Sequence, residues 1–292
     1  MQNYKIFTDS SADLSENLIK KYDISVIPYY VTIDGKNYLK EGIEISKEEI
    51  FDAQRSGILT KTSLPAIDDY ISAFRPELEA GNDILCYCLS QKLSGSVQSG
   101  TNAANILLEE FPDRRIFVVD SRQATSGQAL VVAEGARMCQ NGIDLAKVAE
   151  MTDTLAENST IKFMVDDLKH LQKGGRIGKA AALIGTILNI KPILSLTDAE
   201  VMPVTKVRGR KKALDTICKE MEAFIGGEPD KYWLLTTSCN GEEGWEEMGA
   251  VLEKVTGLKP NFDSITVGAT IGTHTGPTAI GVSAIKKYEY LM

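Results

Sequence analysis

Histidine, tryptophan and cysteine are scarce in this chain: two, two and five among 292 residues. With only His170 and His274 available, a Ser-His-Asp triad has few ways to form. An odd number of cysteines, in a chain too long to need disulfide staples, fits reduced thiols and a cytoplasmic setting. Cys86 and Cys88 alternate along an apolar run, but no further ligands stand at zinc-site spacing. Core packing is the better account of them, and no metal is expected. Long apolar runs are missing as well. The longest, Ala180 to Ile190, is eleven residues between Lys179 and Lys191, against the roughly 20 that span a bilayer. Met1 to Ser10 lacks the apolar core of a signal peptide. Glycine and proline, 24 and 9 residues, are too few for low complexity. Basic residues are outnumbered 32 to 40, a net charge of −8, which speaks against a nucleic-acid partner while leaving a local basic patch open. The expectation is a cytoplasmic protein that does not span a membrane, with room for transient contact at a membrane surface.

What is present reads as globular: 43% of residues are hydrophobic and 25% charged, and the length suggests two domains. Tyr4 to Thr8 is a strand signal, followed by Asp9-Ser10-Ser11-Ala12-Asp13, a polar turn suited to cap a helix over residues 14–22. Ile24 to Tyr30 predicts a second strand, and residues 31–38 a hairpin around Asp34-Gly35. Ser46 with Glu49 three residues on is a capping box. Asp83 to Leu89 and Ile116 to Val119 read as further strands, with a helix ending at Phe111. Strand, polar loop and helix alternate, the mark of a mostly parallel sheet with flanking helices. Beyond Thr152 to Ile161 the texture changes. A small-residue helix is expected over 179–190, then a strand at Ile193 to Leu196, a basic stretch over 206–212, and strands at Trp233 to Thr237 and Ser264 to Gly268. The expected fold is α/β in two domains: an N-terminal domain over 1–155 and a C-terminal α/β domain over 156–292.

Four loops are dense in hydroxyls and glycine: residues 60–65, 89–99, 120–128 and 272–277. In an open parallel sheet, ligands gather beyond the strand C-termini, and hydroxyls with free N–H groups suit an anion. Capping and turn formation explain any one of these segments equally well. A serine hydrolase of the α/β type needs G-x-S-x-G at a strand-to-helix elbow; Lys92-Leu93-Ser94-Gly95-Ser96 lacks the first glycine. Lys173-Gly174-Gly175-Arg176-Ile177-Gly178-Lys179-Ala180 is one residue short of a phosphate loop, and Ala180 stands where a magnesium-binding hydroxyl belongs. Either it is a tight turn or Arg176 is an exposed anion or partner contact. Arg208 and Arg210 lie in the one basic cluster, a solvated face or a docking patch. His274, between two threonines, is either structural or a hydrogen-bonding ligand contact.

Taken in order, these motifs resemble the DegV family of lipid-binding proteins. The likeness runs from Thr8-Asp9-Ser10-Ser11-Ala12-Asp13-Leu14 through Thr62-Ser63-Leu64-Pro65, Leu93-Ser94-Gly95-Ser96, Asp120-Ser121-Arg122-Gln123-Ala124, Lys173-Gly174-Gly175-Arg176-Ile177 and Lys191-Pro192-Ile193-Leu194 to Gly272-Thr273-His274-Thr275-Gly276-Pro277. The resemblance implies a long-chain fatty acid, palmitate-, stearate- or oleate-like, held in a tunnel between two α/β domains, with no other cofactor. It implies carboxylate contacts at Thr62 and Ser94, with Ser63, Gly95 and Ser96 beside them and His274 from the C-terminal domain. It further implies a binding subunit with no catalytic residues of its own, which presents the carboxylate to a fatty acid kinase subunit docked near Arg176, Arg208 and Arg210. Val97 and Thr278 depart from the family's usual residues without removing a head-group contact. The alternative is a hydrolase or acyltransferase using Ser94 and His274.

The residue types suit such a ligand. About fourteen methylenes at ~0.8 kcal/mol each supply a gross ~11 kcal/mol before association costs. The carboxylate is costly to bury unless hydrogen-bonded, and hydroxyls satisfy it without the bidentate grip of an arginine. The run Ala180-Ala181-Ala182-Leu183-Ile184-Gly185 is either a tunnel wall or a close-packed core helix.

Overall fold

The computed structural model describes residues 3–183 and 189–292. Its elements begin with β1 (Tyr4–Asp9), α1 (Glu16–Tyr22), β2 (Ile24–Ile27), β3 (Tyr30–Thr32), β4 (Leu39–Lys40), α2 (Lys47–Arg55) and β5 (Lys61–Ser63). Next come α3 (Ile67–Glu79), β6 (Asp83–Cys88), α4 (Ser96–Glu110), β7 (Ile116–Asp120), α5 (Thr125–Gln140) and α6 (Leu145–Glu157). The remainder holds β8 (Ser159–Met164), α7 (Lys169–Lys173), β9 (Ile190–Thr197), β10 (Glu200–Arg208) and α8 (Arg210–Ile225). It closes with β11 (Tyr232–Ser238), α9 (Gly241–Thr256), β12 (Ile265–Thr266), α10 (Ala269–Thr275) and β13 (Ile280–Lys286).

β6 is buried along its whole length, as a strand covered on both faces must be. It pairs in parallel with β1 and β7 in a four-stranded sheet of order β2-β1-β6-β7. The mixed α/β class and the parallel sheet with flanking helices are as expected. The later strands follow another rule. They form a six-stranded sheet of order β10-β9-β8-β13-β11-β12, antiparallel except where β11 meets β12. A small antiparallel sheet, β4-β3-β5, lies apart from both.

Three local expectations need correction. The strand over 24–30 is two strands in different sheets, because Pro28 has no N–H to continue the ladder. The N-cap of α1 is Ser15, whose hydroxyl accepts from Leu18 N at 3.3 Å. The stretch after Asp9 is instead a 3-10 turn, and the Asp9 carboxylate is buried, accepting from Leu89 N at 2.8 Å and Gln128 Nε2 at 2.9 Å. The third concerns 179–190. Gly178–Leu183 is a 3-10 helix with Ala180 buried but Ala181 and Ala182 exposed, and Ile190 already starts β9. Within the described residues Ala180 lies in the core and Leu183 packs against it; Ile184 and Gly185 lie outside them.

The two large sheets share helix α5. Fourteen of its sixteen residues are buried, so it is hydrophobic or small nearly all round, like a helix clasped on every side. A Cβ on Gly135 would overlap the Tyr87 hydroxyl of β6. Elsewhere on the helix, Ser126 Oγ meets Ser283 Oγ of β13 at 2.7 Å. Among the described residues, two of four hydrophobic cores accordingly mix residues from before and after position 155.

Candidate functional site

Helix α10 is short, and its place is set by three contacts from the N-terminal part of the chain. The Glu41 carboxylate accepts from Thr270 N at 2.9 Å and Thr270 Oγ1 at 2.7 Å, filling orphan donors of its first turn. Gln54 Nε2 donates to Gly272 O at 3.0 Å and Thr273 O at 3.2 Å. Gly272 lies flat against the Phe51 ring, where any Cβ would overlap it. The segment expected as a loop is thus a helix, and it carries His274 to Thr62 on β5. Thr62 Oγ1 and His274 Nε2 are 2.8 Å apart.

A second hydroxyl pair stands nearby. β3 pairs Val31 with Thr62 and Tyr30 with Ser63, so Tyr29 emerges beside the end of β5. Tyr29 Oη donates to Ser94 Oγ at 2.7 Å, and the turn after β6 is close enough to Leu64 that a Cβ on Gly95 would touch it at 3.5 Å. Thr62, Ser63, Ser94, His274, Tyr29 and Arg176 all line one apolar cavity of about 230 Å³. Its wall includes Ile161 and Phe163, two apart on β8 and hence on one face of the sheet, with Leu171, Leu196 and Val201. Each of the four hydroxyl-rich segments contributes, although residues 120–128 do so through Ala124 and Thr125 rather than Ser121.

Gly95 and Ser96 stand one layer behind. Gly95 precedes α4, and Ser96 is fully buried, its N–H donating to Ser94 Oγ at 3.3 Å. Arg176 is exposed; its Nε donates to Leu93 O at 3.1 Å and its Nη1 to Gly174 O at 2.6 Å. Arg208 is exposed at the end of β10. Arg210 forms a two-point pair with Glu247, at 2.6 and 3.2 Å, that ties α8 to α9. Thr278 accepts from Asp166 N at 3.2 Å, outside the cavity.

Burial dominates the site's electrostatics. It lowers the His274 pKa to about 4, helped by the positive charges of Arg176 and His170, so the imidazole is neutral at pH 7. Burial raises the Tyr29 phenol well above its usual value, with the Asp9 charge adding to it. Among the described residues Ser94 therefore has no base beside it: His274 is bonded to Thr62, and neither a partner for its buried Nδ1 nor a carboxylate that orients it is present. Among the described residues no group of three or more metal-ligating side chains occurs, and no helix is long and apolar enough to cross a membrane.

The sequence did not single out Tyr29, whose place in an apolar run reads as a core strand residue. Gly174 was also hidden, since its role is steric: a Cβ there would overlap His274 Nδ1.

A family model described as an uncharacterised protein family, DegV, matches residues 3–287. The chain belongs to the DegV family. It is 33% identical to the DegV domain-containing protein YteA of Lactococcus lactis over 289 residues, 97% of this chain and 98% of that one. Its fold matches a solved protein from Eubacterium ventriosum described as stearic acid-binding, with a TM-score of 0.93 and 31% identity over 98% of this chain and 99% of that one. A DegV family protein from Thermus thermophilus, described by its fatty acid binding, matches with a TM-score of 0.86 and 32% identity over 98% and 100% of the two chains.

Proposed function

We propose that this protein binds a long-chain fatty acid, palmitate-, stearate- or oleate-like, with its tail in the apolar cavity. Its carboxylate rests on Thr62 and Ser94, with Ser63, Gly95 and Ser96 beside them and His274 behind Thr62. The observation that carries this reading is the convergence of two hydrogen-bonded hydroxyl pairs on one apolar cavity, in a chain whose solved relatives are described as fatty-acid-binding. Neutral donors hold the buried anion, and the tail supplies the affinity. The serine hydrolase reading lacks a base next to Ser94 and is not favoured.

The protein's role in this reading is to present the carboxylate to a partner kinase subunit, for acyl-phosphate formation in lipid transport or phospholipid synthesis. It performs no chemistry of its own and works in the cytoplasm. Thr62 and His274 also line an outer hollow of about 230 Å³ whose rim carries Lys61, Lys173 and Arg176, which supports an approach from that side. Of the three arginines, Arg176 is the best placed for docking. Arg210 is held by Glu247, and the exposed Arg208 serves as a peripheral contact. The two-domain division at residue 155 belongs to the same proposal, with the ligand between the halves.

Mass spectrometry of an organic extract of the purified protein tests the ligand. A fatty acid near one equivalent is expected, reduced in Ser94→Ala. No fatty acid, and no uptake of added palmitate or oleate, would contradict the reading.

A further inference from the structure

We infer that Ser94 faces this cavity as a hydrogen-bond donor only, and that Tyr29 is the positioning residue that makes it one. The site then selects an ionised carboxylate over a neutral head group on the same chain. This rests on the fatty-acid reading above and names the head group that reading requires.

A serine hydroxyl has one proton and two acceptor positions. At Ser94 both acceptor positions are taken, by Tyr29 Oη at 2.7 Å and Ser96 N at 3.3 Å. The Ser94 proton is left for the cavity that Ser94 lines. Tyr29 is only 2% exposed, and burial beside the Asp9 charge keeps its phenol protonated and donating.

Thr62 is held from behind as well. Neutral His274 carries one N–H, on Nε2 or on Nδ1. Nδ1 is buried against Gly174 with no partner among the described residues. A buried N–H without an acceptor is rarer in proteins than a bare acceptor, so the proton belongs on Nε2, aimed at Thr62 Oγ1 2.8 Å away. Thr62, one of its two acceptor positions filled from behind, keeps its own proton for the cavity.

Two donors converge, and Ser94 has no acceptor position left for the ligand. A carboxylate accepts both bonds, and charge assistance strengthens them. A fatty alcohol accepts at most one or two weaker bonds without charge assistance, and its own proton finds no acceptor on Ser94.

The test compares oleate with oleyl alcohol, by equilibrium binding to delipidated protein. The wild type should prefer oleate by at least about tenfold. Tyr29→Phe should weaken oleate about fivefold and leave oleyl alcohol within about twofold, which a general loss of structure would not do. In a Ser94→Ala background the same substitution should cost oleate nothing further, because its effect passes through Ser94. NMR of carboxyl-labelled oleate should show the bound acid titrating at higher pH in Tyr29→Phe than in the wild type. Equal affinity of the wild type for both compounds overturns the proposal while leaving fatty-acid binding intact. So does an equal loss of both in Tyr29→Phe, or a loss that persists in the Ser94→Ala background. Binding of neither compound overturns the fatty-acid reading and this proposal with it. Should Tyr29→Phe fail to fold, the wild-type preference still decides.

Discussion

His274 is a base that folding keeps uncharged. Its pKa falls from 6.5 to about 4 on burial, so between those values the unfolded chain binds a proton that the folded chain refuses. Stability therefore falls as pH falls through that window, by an amount approaching ~3 kcal/mol at its lower end. Buried Asp9, Asp13 and Glu41 are shifted upward by burial and act with the opposite sign, so the comparison must be with a variant. His274→Gln should lose less stability than the wild type between pH 6.5 and 4 in urea titrations; parallel pH profiles would show that His274 is not the group involved. Gly174 offers a second probe. Its φ of −74° suits any residue, so Gly174→Ala adds only a methyl group against the imidazole. We expect oleate affinity to fall about tenfold and stability to fall by about 1–3 kcal/mol, read by isothermal titration and thermal unfolding.

At the scale of the element, α10 is the part that a sequence reading and the structure describe most differently. Residues 272–277 look like a glycine-flanked loop because their glycine and threonines are poor helix formers. The helix exists because Glu41, Gln54 and Phe51, more than two hundred residues away in the chain, supply its cap, its side bond and its packing surface. No local pattern carries that information. By contrast, the capping box at Ser46 and Glu49, and the strand at Asp83–Cys88, are local, and both stand where the pattern put them. The site divides on the same line. Thr62, Ser94 and His274 line the cavity as hydroxyl and imidazole residues should, whereas Tyr29 and Gly174 matter only through what folding sets beside them. Gly272→Ala tests the packing of α10 on α2. Overlap with Phe51 should cost about 2 kcal/mol and displace His274, lowering stability in denaturant titrations and oleate affinity together. Loss of neither would mean that α10 is not held by this contact.

For the whole molecule, the shared cores decide how the chain unfolds. One core joins Ile6, Leu85 and Leu130 to Leu235 and Ile285; another joins Tyr29 and Phe51 to Ile161 and Leu194. Neither half can leave without exposing both, so unfolding should be one cooperative transition. Trp233 and Trp245, both in the second half, should report the same midpoint by fluorescence as far-UV circular dichroism reports for the entire chain. Two separated midpoints would show that the halves are stable independently. The cavity belongs to this joint structure, with β5 and the β6 turn on one side and β8, β9 and α10 on the other. The most direct measurement of what it holds is a crystal structure of the delipidated protein soaked with oleate. The account predicts an acyl chain along Ile161, Phe163 and Leu196, with its carboxylate oxygens at hydrogen-bond distance from Thr62 Oγ1 and Ser94 Oγ. A carboxylate at the far end of the chain, or a cavity that takes up no oleate, would contradict it.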